Sequence, residues 1–407
     1  MHNTPSSDRS SQRARRSPPL RDRVSAHFLP IGFGTILVMV AVVMLFMNEG
    51  RAVRTAESLD EANSVVKALS SADVVAHENQ AKLVHVTTGL FTNEPLIDKE
   101  FGISIHACKL NRVVEMYQWV EHSHISETKT GNEVREETSY TYDETWSKEL
   151  IPSSSFNSPF THENPETMEY ESKSFVSNLI HVGSFQLAPG LVNKISDFRR
   201  FPLTLSPPDD KLRLISDMYY KGRDSKHPAI GDIRIYFEVA GRSGKQANGE
   251  EVHDLVSIIA KQLDDKFLPY QTDAGAEIEL LYEGEHSVSS MLGREQVSNI
   301  FLTWVVRFGG WLLMFIGFGC MTSILNTLVL RLPLIREAVG LSTAVMTAAL
   351  AVSLSLVVIA MGWIRYRPLL GLFIIVFSLV PFLFAKLRGS TGLRSYQNAN
   401  MYRNYFD

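Results

Sequence analysis

Apolar residues gather in four stretches that contain no Asp, Glu, Lys, Arg or His: Phe28 to Met47, Phe308 to Leu330, Ala338 to Ile364 and Pro368 to Ala385. Each is apolar on every face, which a globular helix seldom needs. About 20 residues rising ~1.5 Å each cover the ~30 Å hydrocarbon core of a bilayer, so each stretch predicts a transmembrane helix. The third is longer than a crossing requires and predicts tilt or an interfacial first turn, whereas the fourth sits near the lower limit. A re-entrant hairpin or two buried core helices is the alternative for that last pair. Residues 1–27 precede the first stretch, and Asn48-Glu49-Gly50-Arg51 after it offers no small-x-small cleavage site, so it predicts a retained signal anchor.

Between the first and second stretches the periodicity changes. Ser58-Leu59-Asp60-Glu61 fits a capping box, with Leu59, Ala62, Val66 and Leu69 at helical spacing, which predicts a short amphipathic helix packed on the following domain. From Val134 to Trp146, apolar and aromatic positions alternate with polar ones, the signature of a half-buried strand. Val113 to Ile125, rich in Val, Tyr and Trp, precedes it across Gly131-Asn132 and predicts the partner strand of an antiparallel hairpin. Alternation recurs over Ile233 to Val239 and Ile278 to Glu283, and Leu255 to Ala260 is a short apolar run. A helix is expected around Leu191 to Phe198, set off by Pro189 and Pro202, and Ser289 to Val306 is expected to continue into the second span.

The predicted fold is therefore a membrane protein with four transmembrane α-helices, one before and three after a large β-rich α+β domain. Its expected divisions are a disordered basic tail (1–27), a first span (28–47), the α+β domain (48–307), a second span (308–330), a loop (331–337), a third span (338–364), a turn (365–367), a fourth span (368–385) and a tail (386–407).

Net charge is only −4, and its distribution matters more than its sum. With the N-terminus cytoplasmic, flanking Lys and Arg number twelve on the cytoplasmic side against seven opposite, and Arg13, Arg15, Arg16, Arg21 and Arg23 act as topology determinants beside the first span. Both termini are thus expected in the cytoplasm or nucleoplasm and the large domain in the lumen. Arg365 and Arg367 run against that rule locally, beside Trp363 and Tyr366, where they can snorkel. The two cysteines, Cys108 and Cys320, are too differently placed to pair, so no disulfide framework is expected.

Several segments resemble the transmembrane protein 43 family, also called LUMA. They are Asn48-Glu49-Gly50-Arg51-Ala52 after the first span, Glu78-Asn79 with Leu83-Val84-His85, and Val114-Glu115-Met116-Tyr117-Gln118-Trp119-Val120-Glu121. Gly231-Asp232, Ala240-Gly241 and Tyr366-Arg367-Pro368-Leu369 match as well, so the likeness runs from about Asn48 to Ala385, while the N-terminal tail and the residues after Leu387 do not follow the family pattern. The resemblance implies a self-associating protein of the endoplasmic reticulum and inner nuclear membrane that contacts lamins and emerin-like proteins and helps organise the nuclear envelope.

No phosphate-loop, dinucleotide, zincin or nucleophile-elbow string occurs, so no catalytic residue, cofactor or metal site is assigned and no nucleic acid is expected as a partner. His122 and His124 share a strand face, with Cys108 nearby in sequence, but a solvated hairpin end accounts for them better than a metal site does. Glu115 and Glu121, flanking Tyr117 and Trp119, read as polar strand positions rather than an acid/base pair. Within the spans the informative residues are small or weakly polar: Gly317, Gly319, Ser323, Asn326, Ala349, Ser353 and Ser355. They are candidates for close helix packing or oligomerisation in the bilayer. The leading expectation is a non-enzymatic membrane scaffold that forms homo-oligomers. Its alternatives are an ion channel or channel modulator made by the C-terminal helices, and a lumenal enzyme acting on lipid or protein.

Overall fold

The computed structural model describes residues 28–130, 133–245, 249, 251–328, 333–364, 368–378 and 380. Among these, five α-helices are present: α1 (Phe28–Val65), α2 (Pro189–Lys194), α3 (Val288–Leu328), α4 (Pro333–Ile364) and α5 (Pro368–Ser378). The chain forms two compact units, one of residues Met1–Glu57 with Glu295–Asp407 and one of residues Ser58–Arg294.

In the first unit, α1, α3 and α4 supply three segments long and apolar enough to cross a bilayer: Pro30–Val65, Val288–Thr322 and Ala344–Ile364. Three such helices, not four, are found among the described residues. The expected fourth begins as α5, whose 11 residues cover only about 16 Å at ~1.5 Å each; most of its remainder, and the expected turn at 365–367, lie outside the described residues. Ala41 and Leu45 of α1, Met314 of α3, and Ala351 and Val358 of α4 form a shared buried cluster. Two glycines bring α1 and α3 together. A Cβ on Gly34 would stand 2.5 Å from the Gly317 carbonyl oxygen, and one on Gly317 would stand 2.8 Å from the Gly34 carbonyl oxygen. Only hydrogen at both positions permits that backbone approach.

The second unit is built on two large sheets, with two two-stranded ladders, Leu96–Asp98 with Ile103–Ile105 and Tyr270–Gln271 with Glu277–Ile278, beside them. In one, pairings run from Leu83–Thr92 through Ile180–Val182, Phe185–Leu187 and Lys266–Leu268 to Leu255–Leu263, which pairs again with Leu83–Thr92. The pairings thereby form a ring, to which Lys67–Ala68 is added beside Leu83–Thr92 and Leu280–Glu283 beside Leu255–Leu263. Val84, Val86, Ile258 and Phe267 fill its centre with Leu191 of α2, and Phe185 stacks on Phe267 at 4.4 Å. In the other sheet, Ile233–Lys245 lies beside Ala107–Thr130, and Ile233, Ile235, Phe237 and Val239 point into a core around Phe101 and Tyr219. The alternation in Ile233 to Val239 thus reports burial correctly.

Three expectations need correction. Ser58 does not cap a new helix: α1 runs unbroken through it, and the buried hydroxyl lies 2.7 Å from the Thr272 hydroxyl and accepts from the Ala276 amide at 3.3 Å. Leu59 and Ala62 do pack on the β-rich unit, against Ile259, Leu280 and Met291. The helix expected around Leu191 to Phe198 is instead Pro189–Lys194, because Pro189 takes its first turn, where no amide is needed. Finally, Ala107–Thr130 and Glu133–Ser147 pair antiparallel as expected, with the Gly131-Asn132 turn outside the described residues, but the outer part is not half-buried. Beyond Met116 the long strand leaves Ile233–Lys245 and continues as a two-stranded ribbon in which residues 122–126 and 138–141 are exposed on both faces. Ile125 is 69% exposed there.

Candidate functional site

Polar chemistry in the membrane unit converges where the first apolar stretch ends. Glu49 of α1 is completely buried, and its carboxylate accepts two hydrogen bonds from the Arg307 guanidinium of α3, Nε to Oε1 and Nη2 to Oε2, each 2.7 Å. The Trp363 indole of α4 donates to Oε2 at 2.6 Å. One carboxylate therefore joins three helices through a forked ion pair, the strongest form of charge-assisted contact. Gly362 makes room for it, since a Cβ there would lie 2.6 Å from the Glu49 Cβ. The Arg307 guanidinium also sits 5.0 Å from the Trp304 ring centroid and 5.9 Å from that of Trp363.

The next turn extends the network. Asn299, Thr303 and Arg307 follow at four-residue spacing on one face of α3 and meet Asn48, Glu49, Arg51 and Ala52 of α1. Arg51 donates to Asn299 Oδ1 at 2.9 Å and to Asn48 Oδ1 and Thr303 Oγ1 at 3.2 Å each. Asn48 Nδ2 donates to the Thr303 carbonyl at 3.3 Å and Asn299 Nδ2 to the Ala52 carbonyl at 2.9 Å. Both oxygens of Glu49 are occupied by donors of the protein itself, which suits a fixed helix tie rather than an acid or base awaiting a substrate.

Sequence reasoning passed over this cluster. Glu49 stands just outside the uncharged stretch and counts only within the Asn48-Glu49-Gly50-Arg51-Ala52 family segment, Arg307 is one of the seven flanking charges on that side, and Trp363 is only a neighbour of Arg365 and Arg367. The signal was nonetheless present: the predicted topology places the end of span one, the start of span two and the end of span three on the same side of the membrane.

Of the small and weakly polar candidates, Gly317 meets α1 as described, whereas a Cβ on Gly319 would meet nothing within 4 Å. Ala349 is half-buried, Ser355 is buried and donates to the Val352 carbonyl at 2.9 Å, and Ser353 is buried with no hydrogen-bond partner for its hydroxyl. The side chains of Ser323 and Asn326 lie outside the described residues, as do Arg13, Arg15, Arg16, Arg21 and Arg23.

In the β-rich unit the other candidates stay apart. His122 lies 3.5 Å from Asp143 on the exposed ribbon, and among the described residues no three His, Cys, Asp or Glu side chains gather as metal ligands. Glu115 pairs with Arg234 at 2.6 Å, while Glu121 accepts from the Tyr142 hydroxyl at 2.6 Å and the Asn157 amide at 2.5 Å. Cys108 is fully buried, and burial pushes its thiol up to about 12. An open depression of about 590 Å³ near Asp73, Ser184 and His253 has its imidazole Nδ1 2.9 Å from the Leu90 carbonyl.

The family model described as Transmembrane protein 43 matches residues 116–368, a span that takes in Arg307 and Trp363. The mouse protein named Transmembrane protein 43 is 36% identical over 372 residues, 91% of this chain and 93% of its own length. The chain belongs to the transmembrane protein 43 family. The human protein of that name shows the same 36% identity over 372 residues, again 91% of this chain and 93% of its own, and the Drosophila melanogaster protein named Transmembrane protein 43 homolog is 29% identical over 368 residues, 89% and 96% respectively. No solved structure matches the chain. The transmembrane protein 43 family is thus named for its membrane residence and not for an enzymatic activity.

Proposed function

We propose that this protein is a non-enzymatic multi-pass scaffold of the endoplasmic reticulum and inner nuclear membrane. It self-associates and helps organise nuclear envelope complexes that include lamins and emerin-like partners. The observation that carries the reading is the state of Glu49: both oxygens of the buried carboxylate are held by Arg307 and Trp363, which supports a charge that holds helices together instead of serving chemistry or coupled transport. Four spans, with 368–385 as the last, put both termini in the cytoplasm or nucleoplasm and the β-rich domain in the lumen. There the ribbon exposed on both faces supplies an arm for protein contacts. Addresses and partners rest on family membership. Proximity labelling from each terminus and from the β-rich domain, with selective permeabilisation to locate each tag, tests this. Envelope proteins should dominate the terminal maps. Lumenal termini, or maps without membrane-organising proteins, would overturn it.

A second reading, an ion channel or channel modulator formed by oligomerised C-terminal helices, draws on the buried, unpartnered Ser353 hydroxyl and Trp311 indole nitrogen in the bundle. Purified protein in planar bilayers should then carry currents altered by a bulky residue at Ser353. Absence of reproducible current would count against it.

A further inference from the structure

An apolar groove of about 1140 Å³ runs along α1 in the membrane unit, lined by Met39, Val43, Phe46 and Met47 and ending at Arg51 and Arg54. From Met39 to Arg51 the helix rises about 18 Å at ~1.5 Å per residue, close to the ~15 Å hydrocarbon depth of one leaflet. Its end is positively charged. Arg51 bonds only neutral oxygens of Asn299, Asn48 and Thr303, and exposed Arg54 donates from Nε to the Gly50 carbonyl of its own helix at 3.1 Å. Glu49, the acid nearest Arg51 in sequence, is already neutralised by Arg307, and exposed Glu57, three residues beyond Arg54, forms no ion pair with it. Among the described residues neither Arg51 nor Arg54 forms an ion pair with a carboxylate. Between them Gly50 leaves the wall open, since a Cβ there would meet nothing within 4 Å.

We propose that this groove binds one anionic phospholipid, an acyl chain lying along Met39 to Met47 and the phosphate resting on Arg51 and Arg54. The Nη groups of Arg54, which donates only Nε to the protein, match phosphate oxygens, while Arg51, held by Asn299, Asn48 and Thr303, adds its charge one helical turn away at the depth where the apolar wall stops. A helix from a second copy would fill the apolar part equally well, but would cover two guanidinium groups without a counter-charge, a costly arrangement in a low-dielectric setting. An anionic lipid satisfies both parts.

Native mass spectrometry of the full chain in detergent, equilibrated with palmitoyl-oleoyl phosphatidic acid or the matching phosphatidylcholine, tests the site. One retained lipid per chain is expected, with phosphatidic acid favoured by roughly thirty-fold for two arginines and roughly five-fold of that lost in Arg54→Gln. That variant disturbs only a bond within its own helix, so an unchanged melting temperature separates lost binding from lost fold. Gly50→Leu keeps both charges but obstructs the groove, and should abolish the retained lipid. Equal retention of the two lipids, or an Arg54→Gln chain that keeps its preference, would overturn the proposal. So would displacement by inorganic phosphate as effective as by phosphatidic acid, which would mark a small-anion site. If Gly50→Leu changes oligomeric mass while lipid retention persists, the occupant is a second copy and the proposal fails.

Discussion

Replacing Arg307 by glutamine strands the Glu49 carboxylate. Glu49 is 0% exposed, and its remaining donor would be the Trp363 indole at 2.6 Å. Removing one partner of a buried, hydrogen-bonded ion pair costs about 3–5 kcal/mol, because the other charge stays buried and unpaired. The reverse change, Glu49→Gln, strands a guanidinium that is 16% exposed and lies against two indole rings, so it can turn its charge outward. Its cost falls nearer the ~1.5–3 kcal/mol of a lost charged hydrogen bond. Arg307→Lys keeps the charge but loses the fork and should fall below Arg307→Gln in cost. The double variant Glu49→Gln/Arg307→Gln removes both charges and should cost less than the sum of the singles by about 1.5 kcal/mol or more. Unfolding of the full chain by SDS titration, followed by circular dichroism, reads all four. Additive single effects, or an Arg307→Gln chain no weaker than Glu49→Gln, would show that the two charges are not coupled as a buried pair.

Other consequences follow from the packing. Gly317→Leu places carbon where the Gly34 carbonyl oxygen and Val38 now sit 2.8 Å from a Cβ position, so α1 and α3 must separate; a loss of several kcal/mol is expected by the same titration, whereas Gly319→Leu, with open space around it, should change little. Cys108, fully buried with its thiol pushed up to about 12, should resist iodoacetamide at neutral pH until the chain unfolds, as peptide mass spectrometry would show. Glu279 packs against Gly190, one of its carboxylate oxygens is buried without a partner, and burial raises its pKa. Its protonated form is the one the fold favours, so this contribution is full below the ordinary glutamate pKa and is lost as pH rises through the raised value. Glu279→Gln should therefore raise stability at neutral pH and flatten this part of the acid-to-neutral profile in thermal unfolding.

Local patterns were legible where one physical cause sufficed. Ile233, Ile235, Phe237 and Val239 alternate because one face of their strand meets the core, and they are buried accordingly. The same alternation near Tyr140 gave the strand but misjudged its burial, since pairing with Ala107–Thr130 satisfies the backbone even where no layer covers the ribbon. Ser58-Leu59-Asp60-Glu61 looked like a helix start because a capping hydroxyl and a buried hydroxyl with a distant partner read alike in one dimension; the partner, Thr272, is 214 residues away. The closed sheet was invisible for a related reason: Leu83–Thr92 pairs with Leu255–Leu263, and Thr87 and Ser257 on those strands are 170 residues apart in sequence. Glu49 was missed because a charge at the end of an apolar run reads as a flank, and its burial depends on Arg307 and Trp363, which are 258 and 314 residues distant.

In the proposed function the buried charge pair is a helix tie and not chemistry. The double variant Glu49→Met/Arg307→Met tests it most directly, because replacing a buried ion pair with apolar residues of similar volume is often neutral or stabilising. The full chain carrying it should unfold at or above the wild-type SDS concentration and give the same oligomeric mass and the same proximity-labelled neighbours. A variant that remains as stable as wild type yet loses its assembly or its neighbours would contradict it, by showing that the charges themselves are what the protein uses.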